Sequence, residues 1–568
     1  MKKLVNDPLM VVEEMIEGLL LADADLTRIQ GENVVLRRDH QALADSGRVA
    51  IVSGGGAGHE PAHAGYVGEG MLTAAVVGAV FTSPSVDAVL SAIRAVAGPA
   101  GVLLIIKNYT GDRLNFGLAA EIARASGIAV AMVVVRDDVA LDGGAVGARG
   151  IAGTVLIHKV AGAAAEAGLS LAEVATEAEA AGAALFSMGL ALGACIVPAV
   201  GKRGFELGED EVEYGLGIHG ESGVQRGPIA PADVMVDQLL DRLIKRGGLS
   251  DGSRVALLVN NLGGTAVMEL SIVARHTLLR LRAAGVQVEA ALAGSFLTAL
   301  DMPGVSVSVL KLNDGRLNRL LAPSPAGAWV QPTRPAALSD LVAVSEEALA
   351  PEALGQEWSG EGHGRRFSAA IASVTAALIR EEAQLTRLDS VVGDGDIGIS
   401  LSRGARSIEE VASRLDMKRP AAALRVISST LRRSLGGTSG PLYSVFVLRL
   451  ATSLSKARDP SAPIAWATAF RAGVEAIQSL GGGKAGDRTM LDALLPAAEA
   501  MEQAAANGAD GRSIVGAALA AAESGIEASK SMQPRLGRSS YLGNRALGHP
   551  DPGAFAVAVW LRAIGGSL

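Results

Sequence analysis

The sequence predicts a multidomain protein: an N-terminal α/β domain with two α/β lobes, then a C-terminal all-α domain arranged as a helical barrel. Short β-branched runs alternate with Ala-rich helical segments up to about residue 325. From residue 367 onward, helical patterns follow one another almost without strand patterns. The 568 residues also exceed one domain, since domains average roughly 150 residues.

The α/β prediction depends on seven apolar runs with the length and composition of buried strands. Because helical segments separate them, we expect largely parallel sheets. The runs are residues 34–36, 49–52, 102–106, 129–135, 255–259, 286–292 and 305–309. They place the α/β domain at residues 1–328, with expected lobes at 1–185 and 250–328.

Residues 329–366 are rich in proline, glycine, serine and glutamate, which is typical of a linker between domains. We therefore expect the all-α domain over residues 367–568. Its helical patterns, which glycine-containing loops separate, are residues 367–387, 408–415, 421–435, 466–480, 491–506, 514–528 and 553–564.

Charge and hydropathy exclude several classes of protein. Lys and Arg number 51 against 59 Asp and Glu, a net charge of −8, and no long basic block predicts nucleic-acid binding. The most apolar runs, such as residues 101–106, are far shorter than the roughly 20 residues of a membrane span. Acidic residues at 7, 13 and 14 interrupt the start of the chain before a signal-peptide core forms, so we expect a cytoplasmic protein.

The single cysteine, Cys195, lies in an apolar run at residues 191–200. It has no partner for an intramolecular disulfide, and the run predicts a buried, inert thiol rather than a nucleophile. This agrees with a reducing compartment.

Two sequence motifs fail in their context. Residues 59–63, HEPAH, match the HExxH zinc pattern, but Pro61 and the preceding glycines argue against the continuous helix that pattern needs. Residues 215–220, GLGIHG, match GxGxxG. That fingerprint requires a buried strand directly before it, and the acidic residues at 209–213 argue against such a strand. We therefore predict neither a zinc site nor a dinucleotide fingerprint at these positions.

An acidic cluster in the segment LDSVVGDGDIG, residues 388–398, predicts a metal site. Glycines at 393, 395 and 398 let the backbone bring Asp389, Asp394 and Asp396 together, where the carboxylates would repel one another without a cation. Hard oxygen ligands in a partial cage suit Mg²⁺ better than Zn²⁺. The alternative is a solvated acidic turn, because Asp-Gly pairs are common in turns.

Two glycine-rich loops of the same domain are candidates for phosphate binding. They are GGTSG at residues 436–440 and GGGKAGDRTM at 481–490. Backbone N–H groups of such loops bind phosphate oxygens, above all where a helix begins. Either loop taken alone is equally consistent with a plain connection between helices; together with the metal site they indicate a nucleotide.

Three loops of the α/β domain form a second candidate site: GGGAGHEP at residues 54–61, KNYTGD at 107–112 and GIHGE at 217–221. Two of them follow predicted strands, at the sheet edge where open α/β sheets bind ligands. A histidine and an aspartate there can act as base or nucleophile. A lone histidine is more often structural, so the prediction depends on the three loops converging.

A series of longer segments in a fixed order then identifies a family. The chain closely resembles the dihydroxyacetone kinases, in the single-chain ATP-dependent form that fuses a substrate domain to a nucleotide domain. The segments are SGGGAGHEPAHAGYVG, KNYTGDRLNF, GIHGESG, LDSVVGDGDIG, GGTSGPLY, GDRTMLDALLPA and GRSSYLGNRALGHPDPGA.

The resemblance implies roles for residues of the substrate domain. His219 would add to the ketone of a short-chain ketose and form a hemiaminal, which discriminates against polyols such as glycerol. Asp112 would take the proton of the reacting hydroxyl, and His59 would assist by hydrogen bonding. Gly56 and Lys107 match the family's other substrate contacts.

In the nucleotide domain the resemblance implies that Asp389, Asp394 and Asp396 hold two Mg²⁺ ions that bridge the phosphates of ATP. The remaining nucleotide contacts lie in the glycine loops and the C-terminal segment. They are Gly437, Thr438, Ser439, Gly486, Asp487, Arg488, Thr489, Met490, Arg538, Asp551, Pro552 and Gly553.

The resemblance also implies a homodimer in which the nucleotide domain of one chain lies over the substrate domain of the other. Ile397 and Asn544 depart from the family pattern without removing a metal ligand. Dihydroxyacetone is the expected substrate, and erythrulose, a C4 ketose, is the alternative. Cleavage of FAD to a cyclic flavin phosphate is an alternative activity of the same fold, and a non-catalytic ligand-sensing regulator is the alternative from a different class.

Overall fold

The structure is a computed structural model that describes residues 2–141, 147–221, 223–337, 342 and 354–568, except the side chains of Arg538 and Leu542. It divides into two compact units, residues 1–342 and 343–568. The first is α/β with two sheets and the second is helical, so the predicted fold class is confirmed. The finer boundaries at residues 328 and 366 stay predictions.

The first sheet consists of six strands: β1 (Leu26–Arg28), β2 (Val34–Arg37), β3 (Ala50–Ala57), β4 (Ala74–Val80), β5 (Val102–Lys107) and β6 (Val130–Val135). Their order is β1-β2-β4-β3-β5-β6. Strands β4, β3, β5 and β6 pair in parallel, while β1 and β2 run antiparallel at one edge. Strand β5 is buried along its whole length, as expected for a parallel strand covered on both faces.

The second sheet consists of β7 (Leu185–Ala191), β8 (Glu211–Tyr214), β9 (Gln225–Pro228), β10 (Arg254–Asn261), β11 (Gln287–Gly294) and β12 (Gly304–Lys311). Their order is β11-β10-β12-β7-β8-β9, and among these strands only β10 and β11 pair in parallel. The prediction of largely parallel sheets is therefore right for the first sheet and wrong for the second. An apolar run predicts a buried strand but does not encode the direction of its neighbour.

All seven predicted runs form strands. The segment between the expected lobes contributes β7, β8 and β9, which the sequence analysis did not predict. Strand β7, with the sequence LFSMGLA, directly follows an alanine-rich helix, and its own alternation is weak.

Nine helices accompany the sheets among the described residues of this unit: α1 (Val11–Ala22), α2 (His40–Asp45), α3 (Val86–Val96), α4 (Thr110–Ala125), α5 (Thr154–Glu166), α6 (Leu171–Ala183), α7 (Ala232–Gly247), α8 (Val267–Ala283) and α9 (Asp314–Leu321). Helix α5 is buried from Thr154 to Ala165. It shares one apolar core with residues of both sheets, such as Ile105 and Leu258, so the two sheets are packed together around it. Cys195 is 2% exposed, as predicted, and burial raises the pKa of its thiol to about 11.

The second unit contains α10 (His363–Arg380), α11 (Glu382–Val392), α12 (Ile397–Val411), α13 (Pro420–Ser434), α14 (Ser439–Ser455), α15 (Pro463–Gly481), α16 (Leu491–Ala506), α17 (Gly511–Ser529), a 3₁₀ segment (Arg538–Ala546) and α18 (Pro552–Ser567). Each helix from α12 to α18 packs against the next, and α10 packs against both α18 and α12. This closes a ring around one apolar core and confirms the predicted barrel.

The predicted helix at residues 367–387 is in fact two helices, α10 and α11, which meet at Glu381. Helix α14 was not predicted, because its start lies in the glycine loop at 436–440. The ring encloses an apolar cavity of about 560 Å³. Within the described ranges, no helix is long and apolar enough to cross a membrane.

Two glycines of α17 give a matched test of this packing. A Cβ on Gly525 would overlap the carbonyl oxygen of Asp492 in α16, whereas a Cβ on Gly516 would meet nothing within 4 Å. We expect Gly525→Ala to destabilise the helical unit by about 2 kcal/mol, because the helices must separate. Gly516→Ala should stabilise it by about 0.5–1 kcal/mol, because alanine favours an exposed helix interior.

Urea denaturation checks this prediction through the fluorescence of Trp358, Trp466 and Trp560, which all lie in the helical unit. Equal unfolding midpoints for the two variants would contradict the packing of α16 on α17.

Candidate active-site regions

The three glycine-containing loops of the N-terminal unit converge. The ring of His219 lies 4.9 Å from the ring of His59 and 4.7 Å from that of Tyr109, measured between centroids. Strands β3 and β5 are longer than predicted, so Gly54 to Ala57 belong to β3 and Lys107 ends β5. The loops that follow β3, β5 and β8 therefore meet at one place.

His59 is completely buried, and among the described residues only one of its two ring nitrogens has a partner. Nδ1 lies 2.7 Å from the carbonyl oxygen of Thr298. Because a carbonyl only accepts, Nδ1 carries the proton and Nε2 keeps a lone pair. Burial, then the neighbouring His219 and Lys107, hold the pKa of His59 well below its usual range, so the ring is neutral and Nε2 can accept a hydrogen bond.

His219 follows β8 and is partly exposed, with 21% of its side chain accessible. Its Nδ1 lies 2.8 Å from Glu221 Oε1, and its backbone N–H donates to Glu221 Oε2 at 2.9 Å. Burial acts to raise the pKa of Glu221, but its bonds to His219 outweigh this and hold that pKa below the usual range. The ring is flanked by the rings of His59, Phe81 and Tyr109.

Lys107 and Asp112 are also buried at this place. Lys107 Nζ lies 2.6 Å from His63 Nε2, and burial lowers the pKa of Lys107 while Asp112 and Asp137 oppose that effect. Asp112 stands in the first turn of α4. A Cβ on Gly55 would lie 2.8 Å from Lys107 Nζ and 3.8 Å from Asp112 Oδ2, so glycine leaves room for both side chains beside β3.

Gly56, another predicted contact, lies against the segment that follows β4. A Cβ there would come within 2.5 Å of the backbone nitrogen of Thr82 and 2.7 Å of the carbonyl carbon of Phe81. Only glycine permits this close approach.

Sequence reasoning missed several residues of this site. Glu221 and Tyr109 stand inside motifs already singled out, and their closeness to His219 and Asp112 in the chain could have indicated them. Phe81 and Thr298 come from segments with no motif, and only the fold brings them to His59.

The two rejected motifs have different outcomes. Residues 59–63 lie in turns rather than in a helix, which supports the ground for rejecting the zinc pattern. The ground for rejecting GxGxxG was wrong, because strand β8 does precede it and Val212, Glu213 and Tyr214 are buried. The motif nevertheless leads into the antiparallel strand β9 and not into a helix, so the dinucleotide geometry is absent there.

In the helical unit, the three predicted carboxylates do come together. One carboxylate oxygen from each of Asp389, Asp394 and Asp396 lies within 4.8 Å of those of the other two residues. Asp389 lies in the last turn of α11, and its Oδ2 accepts the backbone N–H groups of Asp396 and Ile397 at 2.9 and 3.2 Å. These bonds fix the loop beside the three carboxylates, a set of hard oxygen donors that suits Mg²⁺.

The predicted phosphate-binding loops each end at the start of a helix. Thr438 and Ser439 begin α14, and Met490 directly precedes α16. Gly437 and Gly486 have positive φ angles of 61° and 86°, which glycine adopts without strain. The N–H groups at the start of α14 have the geometry that binds anions. At the start of α16, by contrast, the N–H of Leu491 already donates to Thr489 Oγ1 at 3.2 Å and that of Asp492 to the carbonyl of Thr489 at 3.0 Å.

The loop at 484–492 is held by its own carboxylates. Asp487 Oδ2 accepts the N–H of Lys484 at 2.9 Å, and Asp492 accepts those of Gly486 and Thr489 at 2.6 and 2.8 Å. The side chain of Thr489 takes part as well, because its Oγ1 accepts the N–H of Leu491 at 3.2 Å.

Arg488 connects this loop to the C-terminal segment. It is completely buried and donates to the carbonyl oxygens of Ala546 and His549, both at 3.0 Å. Its Nε and Nη1 find no partner among the described residues. Asp551 caps α18 through the N–H of Ala554, and burial, against the opposing charge of Arg488, raises its pKa to about 6.

Pro552 is the first residue of α18, and a Cβ on Gly553 would lie 3.4 Å from Met490 Cβ, so the two predicted nucleotide segments are neighbours. Arg538 begins the 3₁₀ segment, but its side chain lies outside the described part of the chain. Of the two departures from the family pattern, Ile397 packs against the helical core, and Asn544 Oδ1 accepts a bond from Gln533 at 2.9 Å.

Comparison with known proteins agrees with this arrangement. The Dak1 domain model matches residues 17–327 and the DAK2 domain model matches residues 391–566. The human protein named triokinase/FMN cyclase is 44% identical over 99% of this chain and 98% of its own. A dihydroxyacetone kinase of Citrobacter freundii is 37% identical over 98% and 97% of the two chains.

A crystal structure of the C. freundii dihydroxyacetone kinase in complex with AMP-PNP and Mg²⁺ is 36% identical and covers 100% of both chains, with a TM-score of 0.65. Both domain models, in this order, and the full-length match of sequence and structure lead to one conclusion. The chain belongs to the dihydroxyacetone kinase family.

Proposed function

We propose that this protein is an ATP-dependent kinase that phosphorylates a primary hydroxyl of a short-chain ketose, most simply dihydroxyacetone. The observation that carries the proposal is that one chain contains both a histidine, His219, among three converging loops and a cluster of three carboxylates. We place the ketose domain at residues 1–328, a linker at 329–366 and the ATP domain at 367–568. The expected location is the cytoplasm.

Substrate binding begins at His219. Its Nδ1 is turned to Glu221, so Nε2 is the nitrogen with a lone pair for the ketone carbon. A hemiaminal with this nitrogen requires a carbonyl, which excludes glycerol on chemical grounds. His59 Nε2, an acceptor with no other partner among the described residues, is suited to a hydrogen bond from a substrate hydroxyl.

The phosphoryl acceptor is a hydroxyl that must lose its proton. Asp112 is a buried carboxylate beside Lys107 and supplies the base, while the Lys107 ammonium, held by His63, balances the charge. Gly55 leaves room for the side chains of Lys107 and Asp112 beside β3, and Gly56 leaves room for the backbone of Phe81 and Thr82. Because the three loops fix these groups before the substrate arrives, positioning contributes to the rate.

ATP binding falls to the helical unit. Asp389, Asp394 and Asp396 would hold two Mg²⁺ ions, which when bound neutralise the charge of the phosphates. The N–H groups of Gly437, Thr438 and Ser439, at the start of α14, would donate hydrogen bonds to phosphate oxygens. The nucleotide is flanked by residues from Gly486 to Met490, by Arg538 and by residues 551–553.

The activity is tested by the release of ADP from MgATP with dihydroxyacetone, D-erythrulose, L-erythrulose or glycerol as acceptor. We expect turnover with at least one ketose and none with glycerol. If no C3 or C4 ketose causes release of ADP, the proposed kinase activity is wrong. The same preparation with FAD and Mg²⁺ or Mn²⁺ tests the second activity, which the human relative's name supports.

His219→Ala should lower kcat/KM for the ketose at least about 100-fold, which corresponds to roughly 2.7 kcal/mol of transition-state stabilisation. The reason is loss of the nitrogen that binds the ketone. The matched control is His276→Ala, a histidine paired with Asp233 and Asp237 away from the three loops. Similar losses in both variants would indicate a folding effect and contradict the specific role.

Asp394→Asn should weaken the binding of MgATP at least tenfold, about 1.4 kcal/mol, because one oxygen donor of the cluster loses its charge. Isothermal titration without ketose measures it, so the readout does not depend on turnover. Glu409→Gln, near the C-terminal end of α12 and about three turns from the cluster, is the control and should bind as the unmodified protein does. Unchanged affinity in Asp394→Asn would contradict the metal site.

We further propose that the protein is a homodimer in which each nucleotide domain serves the substrate domain of the other chain. The expected result is that mixing His219→Ala with Asp394→Asn, after reversible dissociation, restores part of the activity, because mixed dimers contain one intact pair of half-sites. Sedimentation velocity gives the mass of the assembly. A monomer, or a dimer whose mixture stays inactive, would contradict the exchange.

A further inference from the structure

The carboxylate of Glu221 is bound to His219 at two points. Oε1 lies 2.8 Å from Nδ1 of the ring, and Oε2 accepts the backbone N–H of the same residue at 2.9 Å. The two residues are separated by one glycine, Gly220, at a φ of 82°, which turns the chain back on itself. Both oxygens are therefore committed to His219, and the ring cannot rotate without breaking one of these bonds.

The loop is shaped to hold this carboxylate. A Cβ on Gly217 would overlap Glu221 Oε2 and would lie 2.9 Å from Arg149 Nη1. Arg149 is itself fixed by the buried Asp138, with 2.7 and 2.8 Å bonds, and it donates to the carbonyl of Gly215 at 2.6 Å. An anchored guanidinium therefore lies close to the carboxylate of Glu221.

This geometry points to Glu221 as a positioning residue for covalent capture of the ketone: we propose that it fixes His219 as the Nδ1–H tautomer and takes up the charge that the ring acquires when Nε2 bonds to carbon. The inference rests on the proposed function, because it concerns how His219 performs its step. The ring of Phe81 has no acceptor atom, and the hydroxyl of Tyr109 makes no hydrogen bond among the described residues.

The step balances as follows. The Nε2 lone pair forms a bond to the ketone carbon, the π pair of the C=O bond moves to oxygen, and the ring becomes an imidazolium. The Nδ1 proton then passes to Glu221 and is relayed from that carboxyl through water to the alkoxide oxygen, which leaves Glu221 ionised again. No proton is gained or lost overall, and without the carboxylate the cationic ring would lack its counter-charge.

Glu221→Gln is the informative variant, because the amide keeps the shape but can either donate to Nδ1 or accept from it. We expect ¹⁵N NMR of the His219 ring to change from the Nδ1–H tautomer to a mixture. We expect the Kd for dihydroxyacetone, measured by calorimetry without nucleotide, to rise about tenfold or more, the scale of removing an imidazole's orienting partner. KM should rise accordingly while MgATP affinity stays unchanged.

Glu211→Gln is the control, since this exposed carboxylate of β8 bonds to the N–H of Gly208 and not to His219. Gly217→Ala is the second variant, which displaces the carboxylate without removing its charge and should also loosen the tautomer. If either variant keeps the parent tautomer and the parent Kd, the inference is overturned.

These measurements also distinguish a failure of the Glu221 role from a failure of ketone capture by His219, on which that role depends. If the unmodified protein binds dihydroxyacetone no better than His219→Ala does, the capture by His219 is wrong and Glu221 has nothing to assist. If capture depends on His219 but not on Glu221, only the present inference fails.

Discussion

The site of the N-terminal unit depends on a clamp between its two sheets. The loop at residues 296–300, from the second sheet, bonds to the segment that follows β3 in the first. Thr298 N–H donates to the carbonyl of His59 at 3.1 Å, and the N–H of Leu300 donates to Gly58 at 2.7 Å. In return, His59 Nδ1 donates to the carbonyl of Thr298. Because these bonds are buried, breaking one leaves an unsatisfied polar group and costs about 1–3 kcal/mol.

The clamp has its own support. The side chain of Asn260, in β10, donates to Leu297 and Ser306 and accepts the N–H groups of Phe296 and Leu297, so every polar atom of its amide has a partner. Tyr66 donates to the carbonyl of Phe296 at 2.7 Å. A buried network with every group satisfied rigidifies the loop and fixes the tautomer of His59, which decides what that side chain can bind.

The helical unit brings several carboxylates close together, and their mutual repulsion must be offset by positive charge. Asp389, Asp394 and Asp396 lie together, and Asp551 feels the charge of Asp389. Arg488 is the buried cation that opposes Asp551, and it joins the loop at 484–492 to the C-terminal segment. Bound Mg²⁺ would oppose the remaining negative charge of the carboxylate cluster.

The sequence predicted most of the strands of the N-terminal unit, the helical character of the rest and the segments that form both candidate sites. Hydrophobic runs and glycine-rich loops are local patterns, so they can be recognised from the sequence alone. Three features depend on pairing between segments and are not encoded by a local pattern. They are the strand directions, the β8–β9 hairpin whose connecting loop contains GIHGE, and the positions of Thr298 and Phe81 beside His59. Glu221 is an intermediate case. The sequence placed it in a candidate loop, but its role became apparent only from its two distances to His219.

Capture of a ketone by His219 is the central claim, and ¹³C NMR tests it most directly. The spectrum of dihydroxyacetone labelled at the carbonyl carbon is recorded with the unmodified protein in the absence of nucleotide. The account predicts that the bound label leaves the ketone region for that of a saturated carbon bearing nitrogen and oxygen, and that His219→Ala abolishes this signal. A bound label that keeps its ketone shift would contradict covalent capture.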